Sequence, residues 1–101
     1  MKLLIVTAVS EFRKDTMKLF KKANVQVFSS SDIEGYENLP SVIISQSWFP
    51  IQDGGKESLL LFSFTEEDKI DILFELIKKF NNNPEITNPI RAAVLPLEKF
   101  I

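Results

Sequence analysis

Residues Glu57 to Phe80 read ESLLLFSFTEEDKIDILFELIKKF, and the change of period inside this stretch decides the fold. From Leu59 to Phe64 nearly every position is apolar, which is the composition of a short buried strand. From Ile70 onward the spacing changes: Ile70, Leu73, Phe74, Ile77 and Phe80 form a single stripe at helical intervals. Thr65 is suited to an N-cap. Glu66, Glu67 and Asp68 place negative charge at the helix start, and Lys78 and Lys79 place positive charge in its last turn, both in the sense the helix dipole favours. The stretch therefore predicts a strand followed by a helix. Asp53-Gly54-Gly55 gives a turn before it and Asn81-Asn82-Asn83-Pro84 a stop after it.

The same alternation extends in both directions. Leu3 to Val9 is a continuous apolar run that predicts a first strand, and MKLLIVTAVS is read this way in preference to a minimal signal peptide. Phe12, Met17, Leu19, Phe20 and Ala23 then recur near helical spacing, predicting a helix from about Ser10, as N-cap, to Asn24, which tolerates the left-handed conformation at a helix end. Val25 to Glu34 reads as a second strand ended by Gly35. Beyond the second helix, IRAAVLPL reads as a fourth strand, with Pro96 confined to a strand end or sheet edge.

The order β-α-β-β-α-β over residues 1–101 predicts one domain of the α+β class, a ferredoxin-like four-stranded antiparallel sheet with two helices on one face. Two helices cover only one face. A monomer of this kind needs strands that alternate apolar and polar, yet LLIVTAV, SLLLFSF and AAVL are apolar on both sides. On the order of several hundred Å² of apolar surface would stay in water, so a partner is expected to cover the second face, most simply further copies of the same chain.

Composition removes several functions. The chain has no histidine and no cysteine, so nucleophile-base pairs of the usual kinds and thiolate or imidazole metal sites are absent, and a non-enzymatic role is expected. The acidic cluster Glu66, Glu67, Asp68 and Asp71 matches no calcium-loop spacing and is read as satisfying the helix dipole. A formal charge of -2 with interspersed signs gives no basic face for nucleic acid, and KESLLLFSF lacks the glycine and stacking pattern of an RNA-binding third strand. No run approaches the roughly 20 apolar residues of a membrane span, so no direct membrane insertion is expected and the location is read as cytoplasmic.

Several segments resemble the PII signalling proteins. FRKDTMKLFKKANVQVFSSSDIEGY, Phe12 to Tyr36, is similar to the family's helix-strand segment, with Gly35-Tyr36 at its Gly-aromatic position before a long loop. ESLLLFSFTEEDKIDILFELIKKF is similar to its third strand and second helix, and AVLPLEKFI to its closing strand. The resemblance implies a homotrimer whose sheets face one another. It also implies regulation of a transporter or enzyme partner through the long T-loop, here residues 36–55, with adenine nucleotide held in clefts between subunits.

Carried onto this chain, the resemblance puts Ser31, Gly35 and Arg91 at ligand-contacting positions, and Tyr36, Trp48 and Phe49 in the segment that meets a partner or a neighbouring subunit. No cofactor is certain. The region NNNPEITNPIRAAV has no glycine where the family wraps phosphates, and Gly35-Tyr36-Glu37-Asn38-Leu39 lacks the family's Gly-Arg-Gln loop entry. Two related readings stay open: a CutA-type protein linked to divalent cations, suggested by Ser47-Trp48-Phe49, and an ACT-like small-molecule-binding module. From the residues alone, Arg91 either contacts an anion or pairs with Glu85 or Glu98. Trp48 and Phe49 either pack on a neighbouring subunit or stand exposed as partner anchors.

Overall fold

The computed structural model describes residues 1–35 and 56–101. The elements run in the order β1 (Lys2–Val9), a 3₁₀ turn (Ser10–Phe12), α1 (Arg13–Lys22), β2 (Ser29–Gly35), β3 (Lys56–Thr65), α2 (Glu67–Asn81) and β4 (Arg91–Pro96). They form one four-stranded sheet, ordered β2-β3-β1-β4 with every neighbouring pair antiparallel. This is the ferredoxin-like α+β arrangement that the period changes predict. Trp48, Phe49, Tyr36 and the turn at Asp53 lie outside the described residues.

Register sorts the side chains into two faces. Leu4, Val6 and Ala8 of β1 share a face with Leu59 and Leu61 of β3, and this face packs against Leu19 and Phe20 of α1 and Leu73 and Ile77 of α2. All but Leu19 and Ile77 in that set are completely or almost completely removed from water, so they constitute the core. Phe28 meets Phe20 edge-on with ring centroids 4.9 Å apart, and Phe12 of the 3₁₀ turn meets Phe80 of α2 at 5.3 Å. The first contact ties α1 to the chain just before β2, and the second ties the 3₁₀ turn to the end of α2.

The second face consists of Leu3, Ile5, Thr7 and Val9 of β1, flanked by Phe64, Phe62, Leu60 and Ser58 of β3 and by Leu95, Ala93 and Arg91 of β4. Its apolar exposure is concentrated at one end. Phe62 is 39%, Phe64 52% and Leu95 44% exposed, whereas Val9, Thr7 and Ser58 at the other end are fully buried. Neither helix reaches the exposed end, as expected from strands that are apolar on both sides.

Local boundaries differ from the sequence expectation in three places. The second strand begins at Ser29 rather than Val25. Asn24 takes the left-handed conformation, φ 61°, and the Val25 amide donates to the Phe20 carbonyl at 2.9 Å, so Val25 is drawn into the core as part of the helix end. Ser10 opens the 3₁₀ turn, and α1 starts at Arg13 without a side-chain cap. Thr65 pairs with Lys2 as the last residue of β3, and Glu66 takes the N-cap position of α2. Pro96 ends β4, an edge strand, where its missing N–H costs no ladder bond.

One polar group breaks the pattern. The Thr7 hydroxyl oxygen is buried in the middle of the second face and has no hydrogen-bond partner among the described residues. Such an orphan costs about 1–3 kcal/mol, so Thr7→Val, which keeps the shape and removes the hydroxyl, is expected to stabilise the protein by about 1 kcal/mol. In urea denaturation this would appear as a higher midpoint at unchanged slope. A lower midpoint would mean that the hydroxyl has a partner after all.

Candidate functional site

The three ligand positions suggested by sequence fall on the sheet in a revealing way. Ser31 of β2 is opposite Leu60 of β3, Leu60 is opposite Thr7 of β1, and Thr7 is opposite Arg91 of β4. Ser31 and Arg91 therefore occupy the same cross-strand row and the same face, but at opposite edges of the sheet. Three strand spacings separate them, about 14 Å. Gly35 lies four residues beyond Ser31, about 13 Å further along β2. One chain does not bring these residues together.

Arg91 itself is positioned by a side-chain clamp. Asn81, at the end of α2, donates from Nδ2 to the Ile90 carbonyl at 2.8 Å and accepts at Oδ1 from the Ile90 amide at 2.9 Å. The asparagine thus imitates a strand neighbour for Ile90, pinning the α2–β4 connection and fixing where β4 begins. Ile90 is buried beneath it. The adjoining groove, about 320 Å³, lies on the helix side and is lined by Phe74, Ile77, Lys78, Ile90, Ala92 and Arg91, whereas the register turns the Arg91 side chain toward the second face. Lys78 reaches Glu75 at 3.3 Å in an exposed pair of little energetic weight. Neither Glu85 nor Glu98 pairs with Arg91. Arg91 is half-buried, and its guanidinium has no ion pair or hydrogen bond among the described residues.

A second cleft, about 410 Å³, opens beside the end of β2, where residues 36–55 leave the sheet. Its described lining includes Arg13 and Ser10 from the start of the first helical segment, Asp32 and Glu34 from β2, and Glu57 and Ser58 from β3. Arg13 forms an ion pair with Asp32, tying α1 to the sheet edge. Glu34 and Glu57 sit directly opposite each other across the ladder. Three carboxylates against one guanidinium make the described part of this cleft a poor cradle for phosphate. Sequence reading missed it, because nothing in the pattern links Arg13 to a residue 19 positions later.

Among the described residues no group of acidic side chains is arranged to hold a metal ion. There too, no helix is long and apolar enough to cross a membrane. Glu67 at the start of α2 is engaged by Lys2 at 3.0 Å, in keeping with a structural use of that acidic turn.

No protein-family model matches the chain, and no curated protein matches it significantly by sequence. Its fold is nevertheless found among solved structures. It is similar to CPII, a nitrogen regulatory PII-like protein from Thiomonas intermedia K12 solved with ADP, AMP and bicarbonate. The TM-score is 0.62 at 12% identity, covering 99% of this chain and 94% of that one. It is also similar to a PII-like signaling protein from Thermus thermophilus, with TM-score 0.57 at 16% identity, covering 95% of this chain and 85% of the other. Identities this low show the fold, and the PII-like fold is the one that the sequence segments resemble.

Removing the Asn81 clamp tests how Arg91 is held. Asn81→Ala leaves the amide and carbonyl of buried Ile90 without their partners, and should cost about 2 kcal/mol in denaturant unfolding. Asn81→Asp keeps the acceptor and loses the donor, so it should fall between the two. Equal stability of all three forms would show that the clamp carries no load.

Proposed function

We propose that this chain is a non-enzymatic, PII-like regulatory protein that works as a homotrimer. It acts on a protein partner, such as a transporter or an enzyme, through residues 36–55, and answers to a small anionic ligand held between subunits. The observation that carries the reading is the unpaired guanidinium of Arg91, in one row with Ser31 at the far edge of the same face. A guanidinium with no counter-charge, on a residue that is itself half-buried, favours an incoming anion. With the two residues about 14 Å apart in one chain, a neighbouring subunit must supply the second half of such a site.

Two further facts support it. The apolar end of the second sheet face, with Phe62, Phe64 and Leu95 each more than a third exposed, is the surface a homo-oligomer would cover. The fold is that of CPII, whose structure contains ADP, AMP and bicarbonate, so adenine nucleotides and bicarbonate are the first ligands to try. The glycine-free connection before β4 directs attention to ligands smaller than a triphosphate. Gly35 contributes the end of β2, from which the partner-contacting segment with Tyr36, Trp48 and Phe49 departs. This protein is placed in the cytoplasm in this reading.

Light scattering and calorimetry test the proposal together. The expected mass is three times the 11.6 kDa chain, and AMP, ADP or bicarbonate should bind with an affinity that Arg91→Ala lowers at least tenfold. A mass of one chain sinks the assembly, while silence with all these ligands in an intact trimer leaves a protein-binding scaffold with no anion sensor.

A further inference from the structure

We infer that the solvent face of α1 docks a short acidic segment of a partner protein, one apolar side chain of which enters the groove at the end of that helix. The inference is independent of the subunit contact and the anion site of the preceding reading. Charges of both signs alternate along the sequence, and the helix sorts them. Thr16, Leu19 and Phe20 face the core, while Lys14, Lys18, Lys21 and Lys22 are all exposed. At 3.6 residues per turn their spacing places the four lysines within about a third of the helix circumference. None of them has an ion pair or hydrogen bond among the described residues, and Glu11 and Asp15, the nearest acids in sequence, pair with none of them. The paired acids are committed elsewhere: Glu66 to the terminal amine, Glu67 to Lys2, Asp32 to Arg13 and Glu75 to Lys78.

The helix dipole accounts for only part of this stripe. Lys21 and Lys22 lie in the last turn, where positive charge is favoured, but Lys14 lies in the first turn, where it is not. Lys14 and Lys18, and again Lys18 and Lys22, are like charges at i,i+4, which repel. An anionic partner relieves both costs.

Lys21 also belongs to a groove of about 460 Å³, which it lines with Met17, Asn24, Val25, Gln26 and Phe28. Local bonds hold this groove in shape. The Val25 amide donates to the Phe20 carbonyl at 2.9 Å, Gln26 Nε2 donates to Asn24 Oδ1 at 2.9 Å, and Phe28 meets the Phe20 ring edge-on. The Ser63 hydroxyl fixes the next residue by donating to the Val27 carbonyl at 2.6 Å. A surface already ordered loses little freedom on binding. Met17, Val25 and Phe28 offer apolar walls to one side chain, and the amides of Asn24 and Gln26 suit a peptide backbone. From Lys14 to Lys22 the stripe is about 12 Å long, which an extended segment crosses in about four residues. Larger polyanions fit less well. Packed beside α1, α2 exposes Glu67, Asp68 and Asp71, and the whole chain carries -2, so a lipid surface or a duplex meets these acids together with the lysines.

Fluorescence anisotropy of the full chain with a labelled peptide, one leucine followed by four glutamates, tests the proposal. The expected result is saturable binding that weakens as salt rises and drops at least tenfold in Lys18→Glu/Lys22→Glu. Both changes are at exposed positions, so the variant's circular dichroism should match that of the unaltered protein. The same variant should bind the peptide with lysines in place of glutamates better than the unaltered protein does, a gain that a folding defect cannot produce. Serine in place of the leucine should weaken binding at least fivefold, and equal binding overturns the groove as the anchor. No saturable binding up to about 1 mM peptide, or equal binding by the variant, overturns the proposal. Tighter binding to phosphatidylglycerol vesicles, lost in the variant, overturns it in favour of a lipid surface. A lower mass of the variant in light scattering overturns it in favour of a second copy of the chain.

Discussion

Two helices of this length cover one face of a four-stranded sheet, and the strands here are apolar on both. On the helix side, Leu4, Val6, Ala8, Leu59 and Leu61 vanish beneath Phe20, Leu73 and Ile77, and the core is complete without the other face. Leu3, Ile5, Leu60, Phe62, Phe64 and Leu95 are then left over, at about 25 cal/mol per Å² of whatever area they keep in water. Phe62, Phe64 and Leu95 are the exposed ones among them, so the uncovered apolar surface gathers at one end of that face.

The gradient along that second face adds a direction. Its apolar exposure lies in the rows of Phe64 and Phe62, next comes the row holding Ser31, Thr7 and Arg91, and last the buried row of Val9 and Ser58. The final row adjoins Gly35 and the start of residues 36–55. The exposed apolar end, the row of Arg91 and the buried row next to the end of β2 are stacked along about 20 Å of strand.

Much of this was legible in the sequence because it depends on local period. The stripe Ile70, Leu73, Ile77 gave α2, and the left-handed tolerance of Asn24 gave the end of α1. What stayed illegible depends on distance in space. Val25 has strand composition, but its amide is used by the helix end, and composition does not register that competition. The Arg13–Asp32 pair and the Asn81 clamp on Ile90 join residues whose spacing has no periodic signature. Arg91 shows the limit most sharply: two acids in nearby sequence, Glu85 and Glu98, made an ion pair the economical reading. The connection pinned by Asn81 instead sets Arg91 at the start of β4, in the row of Thr7, with neither acid as a partner.

That last fact also orders the two clefts. The larger one holds three carboxylates and a guanidinium already committed to Asp32, so its described lining is unfavourable to anions. The smaller one, on the helix side, is lined by Phe74, Ile77, Ile90 and Ala92 with Lys78 and Arg91, and Arg91 has no ion pair among the described residues. Size alone would favour the first. Charge favours the second, because no described acid neutralises Arg91 there, although the register of β4 turns that side chain toward the face the helices leave open.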